Sequence, residues 1–593
     1  MTYYADIGIS ILILMSLGVS LNLLLGYAGR VSMAHAIFFG IGGFTAARLT
    51  LPTAEDLGGV ATAGLQTGAG WPWVPALAAA VVVAFLAALV ISIPAVRLVR
   101  GEYLILLTLA FQLVANQLMV VLDKVTGGPY GLSGIPPITI GETILFRPEQ
   151  VFWLMLGATL VSILVCWGLA ESPFGRLLKG LREHESAVAS VGKNPVVPEL
   201  LAFSISAAIA GGIGALAAFY YGSVVPSSFS LTYSIFIVSV VVLGGLGNLW
   251  GTVVGAIALG MLEPVLREYV GDEAIPWQAV IYGAALVLMM RIRPQGLLPE
   301  GFGPGKLLGL GRRRIPRNLP TEAEALARLH QAHGSDDGRT PREPIVQVHD
   351  LKKSFGGLQA VNGATFELEQ GKVTALIGPN GAGKTTIFNM ICGTLRADEG
   401  RVFLRGEDVT GQPAYRLVRK GMARSFQDVR VCQRLTALHN VAMGVQDQPG
   451  ERVSRLVLRP FATITGERRV RRKALDCLAL LGIAEQANVR VSELSYGDQK
   501  LVAIARLLAT DCDVLLLDEP TSGVDPASVE KVITGIARLR ELGHTVCLVE
   551  HSVHFVQRLA DRAVFLDQGA VVAQGTVDEL MNRRELADLY FGT

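Results

Sequence analysis

Apolar residues run long in the first half of the chain and short in the second. Before residue 291, uncharged stretches at 7–25, 31–47, 71–93, 103–122 and 151–169 each approach the ~20 residues a bilayer-crossing helix needs. Between Glu199 and Glu263 no charged residue occurs. That length allows three crossings, broken near Val225-Pro226-Ser227 and at Gly244–Gly247. A last span is expected at 275–290, which makes about nine. One loop differs from the rest. Residues 171–199 are charged and helix-prone, with Phe174, Leu177, Leu178 and Leu181 on a single apolar stripe. A solvated hairpin would account for the charge; the stripe predicts a coupling helix that docks on another surface. Residues 301–343, rich in Gly, Pro and Arg, read as a flexible linker. Beyond them the pattern changes to short β-prone runs alternating with amphipathic stretches, as in a soluble α/β domain. The expected organisation is a polytopic α-helical membrane domain (1–300), a linker (301–343) and an α/β domain (344–593).

Composition agrees with this division. The chain of 593 residues is 51% hydrophobic and 17% charged, with a mean hydropathy of +0.44, which is too apolar for a wholly soluble protein. The lipid bilayer is therefore an expected partner. A net charge of +2 predicts no nucleic-acid partner. The six cysteines form no C-x-x-C pair and read as reduced cytosolic thiols. The first residues carry no Lys or Arg, so the opening apolar run is expected to be a span rather than a cleaved signal. Basic residues at Arg30, Arg97, Arg100, Arg176, Lys179, Arg182, Lys193 and Arg291 fall on alternate loops, which puts the N-terminus outside and the C-terminal domain in the cytoplasm. Glycines at 40–43 and 211–214 suit close helix packing. Those at 244–251 also suit a broken helix beside a path. His35 reads either as a packed, hydrogen-bonded residue or as part of such a path.

The chemistry lies in the C-terminal domain. Gly378-Pro379-Asn380-Gly381-Ala382-Gly383-Lys384-Thr385 fits G-x-x-x-x-G-K-[ST], follows the apolar run 373–377 and precedes a helical run. Gly378, Gly381 and Gly383 let successive N–H groups face one anion at a helix start. Asn380 and Thr386 belong to the same nucleotide-binding set. Lys384 supplies a cation for the β- and γ-phosphates of ATP, and Thr385 a hydroxyl for Mg²⁺. Val514-Leu515-Leu516-Leu517-Asp518-Glu519 is a buried strand ending in two carboxylates: Asp518 as a Mg²⁺ ligand and Glu519 as the general base for the attacking water. Gln427 is placed to sense Mg²⁺ and the γ-phosphate, and His551, after another apolar run, to contact that phosphate; taken singly, each also reads as a structural polar residue closing an apolar run.

Leu494-Ser495-Tyr496-Gly497-Asp498-Gln499 resembles the signature of the ABC ATPases, with Asp498 in place of the more usual glutamine. The resemblance implies that Ser495 and Gly497 close on ATP held by another ATPase domain, and that Phe355 stacks on adenine. The stretch FGGLQAVNGATF…ALIGPNGAGKTTIFNMICG…GMARSFQDVRV…LTALHNVAMG (355–444) resembles the larger ATPase subunit of the branched-chain amino acid (Liv-type) ABC importers. VSMAHAIFFGIGGFTAARL (31–49), TGGPYGLSGIP (126–136), VVLGGLGNLWGTVVGA (241–256) and RPQGLLPE (293–300) resemble the permeases of those systems, in the same order. The resemblance implies ATP-driven import of branched-chain amino acids across a bacterial inner membrane. It also implies an extracytoplasmic substrate-binding protein, and either a second permease and second ATPase subunit or a second copy of the chain. Import of urea, short amides or aromatic carboxylates is the alternative. An ABC exporter or an ATP-gated channel fits less well, given the short inner loops and the presence of Glu519.

Overall fold

A computed structural model describes residues 2–53, 66–98, 103–270, 280, 283–284, 287–289, 291–303, 319–333, 344–550 and 552–582. The chain divides into two units: Met1–Leu178 with Val196–Arg313, and Lys179–Pro195 with Arg314–Thr593.

The first unit is helical. Its main elements are α1 (Thr2–Asn22), α2 (His35–Thr50), α3 (Trp73–Leu98), α4 (Tyr103–Val121), α5 (Pro148–Glu171) and the start of α6 (Pro173–Glu183), then α7 (Val196–Tyr221), α8 (Leu231–Gly244) and α9 (Leu249–Val270). Among the described residues six helices are long and apolar enough to cross a bilayer, against the nine spans expected. Two of the expected spans fall short for a geometric reason. At 16 and 14 residues, α2 and α8 reach only ~24 and ~21 Å at 1.5 Å per residue, below the ~30 Å hydrocarbon core. The span expected at 275–290 lies mostly outside the described residues.

The glycine pairs act as contact surfaces. A Cβ on Gly42 would collide with the backbone of Gly211, and one on Gly214 with the carbonyl of Phe39, so α2 and α7 touch backbone to backbone. The break between α8 and α9 is a sealed joint. Asn248 Oδ1 accepts from Trp250 N (3.0 Å) and Gly251 N (3.1 Å), while its Nδ2 donates to the carbonyls of Pro299 (2.8 Å) and Phe302 (2.9 Å). From α1, Asn22 accepts from Gly247 N (3.0 Å) and donates to Asn248 O (3.0 Å) and Thr252 Oγ1 (2.7 Å). These side chains satisfy backbone groups that hydrocarbon would leave unpaired. His35 is buried, with Nε2 3.0 Å from Ser20 Oγ, which is the packed arrangement of the two expected for it.

The second unit carries two sheets. Its elements include β1 (Pro344–Phe355), β2 (Leu358–Glu369), β3 (Val373–Ile377), β4 (Glu399–Leu404), β5 (Glu407–Asp408), β6 (Met422–Arg424), β7 (Val514–Asp518), β8 (Thr545–Val549), β9 (Arg562–Asp567) and β10 (Ala570–Thr576). The order β6-β7-β8-β3-β9-β10 is parallel up to β9 and closes with an antiparallel edge; β2-β1-β4-β5 is antiparallel. Every residue of β3, β7 and β8 is buried, as central parallel strands covered on both faces require.

Two segments from outside 344–593 belong to this unit. Residues 322–333, within the expected flexible linker, form the helix α10 (Glu322–His333), opened by a reciprocal cap between Thr321 and Glu324. Ala325 and Leu329 are buried, Leu329 within the main core of this unit, and Arg328 meets Asp476 at 3.4 Å. A signal was available between the turn-rich flanks: Thr321-x-x-Glu324 is a capping box, and the run after it is rich in Ala and Leu. The second segment, Lys179–Pro195, follows the predicted stripe. Lys193 Nζ donates to Val445 O (2.6 Å) and pairs with Glu451 (2.9 Å). Arg430 reaches Ser186 Oγ (2.8 Å), and Gln446 donates to Val191 O (2.7 Å). His184 sits beside Arg430 and Arg506; burial first, then these two cations, push its pKa below the usual imidazole value.

Candidate functional site

Three central strands end on the same side of the sheet, where open α/β sheets bind ligands. From β3 the chain turns through Gly378 (φ 149°), Gly381 (φ 85°) and Gly383 (φ 89°) into α11 (Lys384–Ile391). At Gly378 a side chain would strike Leu566 O, so only glycine fits both the angle and the space. Lys384 is buried, and its Nζ donates to Gly378 O (2.7 Å) and Pro379 O (2.8 Å). Burial lowers its pKa and the Glu519 charge opposes that shift. Asn380 and Thr385 are exposed beside it, and Thr386 is half-buried.

At the end of β7 the two carboxylates have opposite surroundings. Asp518 is 2% exposed and forms a buried ion pair with Arg424, Oδ2 to Nη2 at 2.8 Å. Its other oxygen, Oδ1, has no hydrogen-bond partner among the described residues. Burial raises the pKa of Asp518, and Arg424 works against it. Glu519 leaves the strand at φ 44°, a left-handed angle that costs a non-glycine residue about 1–2 kcal/mol. Its backbone is tied there: the N–H donates to Val549 O (3.0 Å), and the carbonyl accepts from Lys500 Nζ (3.0 Å) and Ser522 N (3.2 Å). Gln427 Nε2 donates to Glu519 Oε2 at 2.9 Å, so the two polar residues predicted from separate motifs do meet. At the end of β8, Glu550 accepts from both Thr521 N (3.0 Å) and Thr521 Oγ1 (2.7 Å). His551 lies outside the described residues.

The signature segment forms a helix start. Ser495 caps α12 (Tyr496–Leu508), accepting from Asp498 N (3.1 Å) and donating to Asp498 Oδ2 (2.8 Å). Gln486 also donates to that carboxylate, at 3.1 Å. The aspartate that departs from the usual pattern therefore closes a reciprocal cap. Gly497 packs where a Cβ would meet Ser528. Phe355 is 49% exposed at the end of β1, with Lys353 Nζ 5.6 Å from its ring centre.

Sequence reasoning missed two organising residues. Arg424 binds Asp518, Asn389 (2.5 Å) and Cys392 Sγ (2.9 Å), and lies over the rings of Phe388 and Phe426. Lys500 donates to Gln427 O (2.9 Å) as well as Glu519 O, joining the signature helix to both motifs. Burial lowers the pKa of Lys500 while the neighbouring carboxylates raise it. A cation two residues before Phe426, and another at the start of an apolar helix, were the available signals.

A glycine loop at a helix start, paired strand-end carboxylates and a capped signature helix define an ABC-type ATPase, joined here to a helical membrane unit. A model of the branched-chain amino acid transport system permease component matches residues 3–290, and a model of the ABC transporters matches 361–522. The high-affinity branched-chain amino acid transport ATP-binding protein LivG of Salmonella typhimurium is 34% identical over 251 residues, 42% of this chain and 98% of that protein. BraF of Pseudomonas aeruginosa, of the same description, is 35% identical over 250 residues, again 42% and 98%. A nucleotide-free ATP-binding cassette of known structure shares 30% identity over 42% of this chain and 100% of its own, with a TM-score of 0.37. The chain belongs to the branched-chain amino acid transport family of ABC transporters, with permease and ATPase fused. Its ATPase domain binds ATP and couples hydrolysis to transport.

Proposed function

We propose that this chain imports branched-chain amino acids across a bacterial inner membrane, fed by an extracytoplasmic binding protein. The observation that carries this reading is agreement between halves: the permease match covers the first, and ATPase relatives named for the same transport cover the second. Binding-protein-dependent uptake in vesicles containing the complete system tests it. Labelled leucine, isoleucine and valine should accumulate; if all three fail while urea, a short amide or an aromatic acid accumulates, the substrate reading is wrong and the importer reading stands.

In the ATPase, the N–H groups of Gly381 and Gly383 with Lys384 would hold the phosphates, and Phe355 the adenine. The orphaned, buried Asp518 Oδ1 fits a cation, and Thr385 and Gln427 are the other oxygen donors for Mg²⁺. When bound, Mg²⁺ neutralises phosphate charge. Glu519 would orient and deprotonate the attacking water, with Gln427 fixing one carboxylate oxygen and His551 contacting the γ-phosphate. Ser495 and Gly497 would complete the site of a second ATPase domain, so the working complex holds partner subunits or another copy of the chain.

Coupling would run through Lys179–Pro195. Lys193→Met removes the bonds to Val445 O and Glu451 while leaving every nucleotide-binding group in place. Expected is unchanged ATP affinity with uptake per ATP hydrolysed reduced at least threefold. Full coupling in that variant would discard the role.

A further inference from the structure

We propose that a cavity in the membrane unit is the outward-facing site through which the transported solute passes, shaped for a zwitterion with a hydrocarbon side chain. The inference deepens the function proposed above and rests on it. The cavity measures about 550 Å³, within the roughly 300–1,000 Å³ of small-molecule sites. It lies between the early part of α1 (Ser10, Ile13), Phe39 of α2, the last turn of α7 (Tyr221), the start of α8 (Tyr233) and the far part of α9 (Gly260, Glu263).

Its depth follows from helix geometry. Ser10 stands about 18 Å of helical rise before Asn22, the end of α1, and Arg30, a basic residue on the expected inner side, follows beyond that end. Tyr221 ends a 26-residue helix, ~39 Å from its start. Glu263 stands ~21 Å along α9 from Leu249. All three positions converge on the side that the basic-residue distribution places outside.

The wall is aromatic. Phe39 meets Phe229 edge to face at 5.5 Å and Tyr233 at 6.1 Å, and Tyr233 lies 6.4 Å from Phe236. Such a surface removes apolar groups from water, and its ring faces attract an ammonium. Among the described lining residues the only charge is Glu263. One helical turn on, Arg267 stands 3.7 Å from it, and both are half-exposed. Glu263 therefore offers the cavity a carboxylate for an ammonium, with the Arg267 guanidinium next to it just outside the lining, and the Tyr221 and Tyr233 hydroxyls are donors for a carboxylate. Serine hydroxyls at 10 and 228 supply further polar contacts. A sugar phosphate finds no cluster of cations here, and urea has no hydrocarbon for the aromatic wall. The assignment separates amino acids from the family's smaller polar solutes.

Two variants in the complete transporter test it. Glu263→Gln keeps the side-chain shape at a half-exposed position. Expected is a rise of about tenfold in the KM for leucine uptake. Ser228→Cys places a thiol on the cavity wall, and all six native cysteines are buried. A membrane-impermeant maleimide should label the introduced thiol from outside, and leucine-loaded binding protein should slow that labelling severalfold, where urea does not. The site is overturned if the wild type accumulates leucine while both the KM of Glu263→Gln and the labelling rate stay unchanged. If the wild type instead accumulates another solute, the substrate reading fails. Protection of the introduced thiol by that solute then supports the cavity as the path, and absence of protection overturns it.

Discussion

Glu519→Gln is expected to bind ATP as the wild type does and to hydrolyse it about 10²–10⁴-fold more slowly, the range that loss of a general base produces. The amide keeps the size of the side chain, and the backbone bonds to Val549 and Lys500 that hold the left-handed turn do not involve it. The groups around Lys384 proposed to hold the phosphates are untouched. Equilibrium nucleotide binding together with single-turnover hydrolysis in purified transporter checks both halves of the statement. Near wild-type turnover would remove Glu519 from the role of base. Lys384→Ala makes the contrast, because it should lose nucleotide affinity together with turnover.

Arg424→Met should destabilise the ATPase unit by about 3–5 kcal/mol, the cost of leaving one partner of a buried ion pair uncompensated. For a domain of this size that is a fall of roughly 10 °C in the unfolding midpoint. The pH dependence has a definite sign. Burial already raises the Asp518 pKa, and losing Arg424 raises it further, so the folded form holds a proton over a range where the unfolded form has released it. Stability of the variant therefore declines as pH rises through that window, and the deficit is largest at neutral pH. Adding Asp518→Asn should recover most of the loss without restoring activity. Thermal unfolding of the wild type, both single variants and the double variant at pH 5 and 7.5 measures the coupling. Additive effects with no pH dependence would show that the pair contributes little.

Motifs whose chemistry needs fixed neighbours in the chain were legible beforehand. The loop from Gly378 to Thr385 carries its function in consecutive backbone groups, and Asp518 with Glu519 ends an apolar run that can only be a buried strand. Long apolar runs marked α1, α3, α4 and α5 equally well. Features that depend on partners distant in sequence stayed hidden. Nothing local announces that Arg424 neutralises Asp518, that Lys500 holds the carbonyl of Glu519, or that Asn22 seals a helix break at Gly247. Span limits were hard to read for the same reason: hydropathy records apolar length, while α2 and α8 are only 16 and 14 residues long because turns at their flanks are stabilised by the fold.

The short helix in the join bears on how such fusions can be rearranged. Ala325 and Leu329 are packed within the ATPase unit, although they lie upstream of its first strand. A breakpoint at residue 343, where the sequence changes character, would send part of the ATPase away with the permease. Recombination that exchanges one ATPase for a relative, in a genome or in the laboratory, would keep this helix with its own core only if the crossover falls before Thr321.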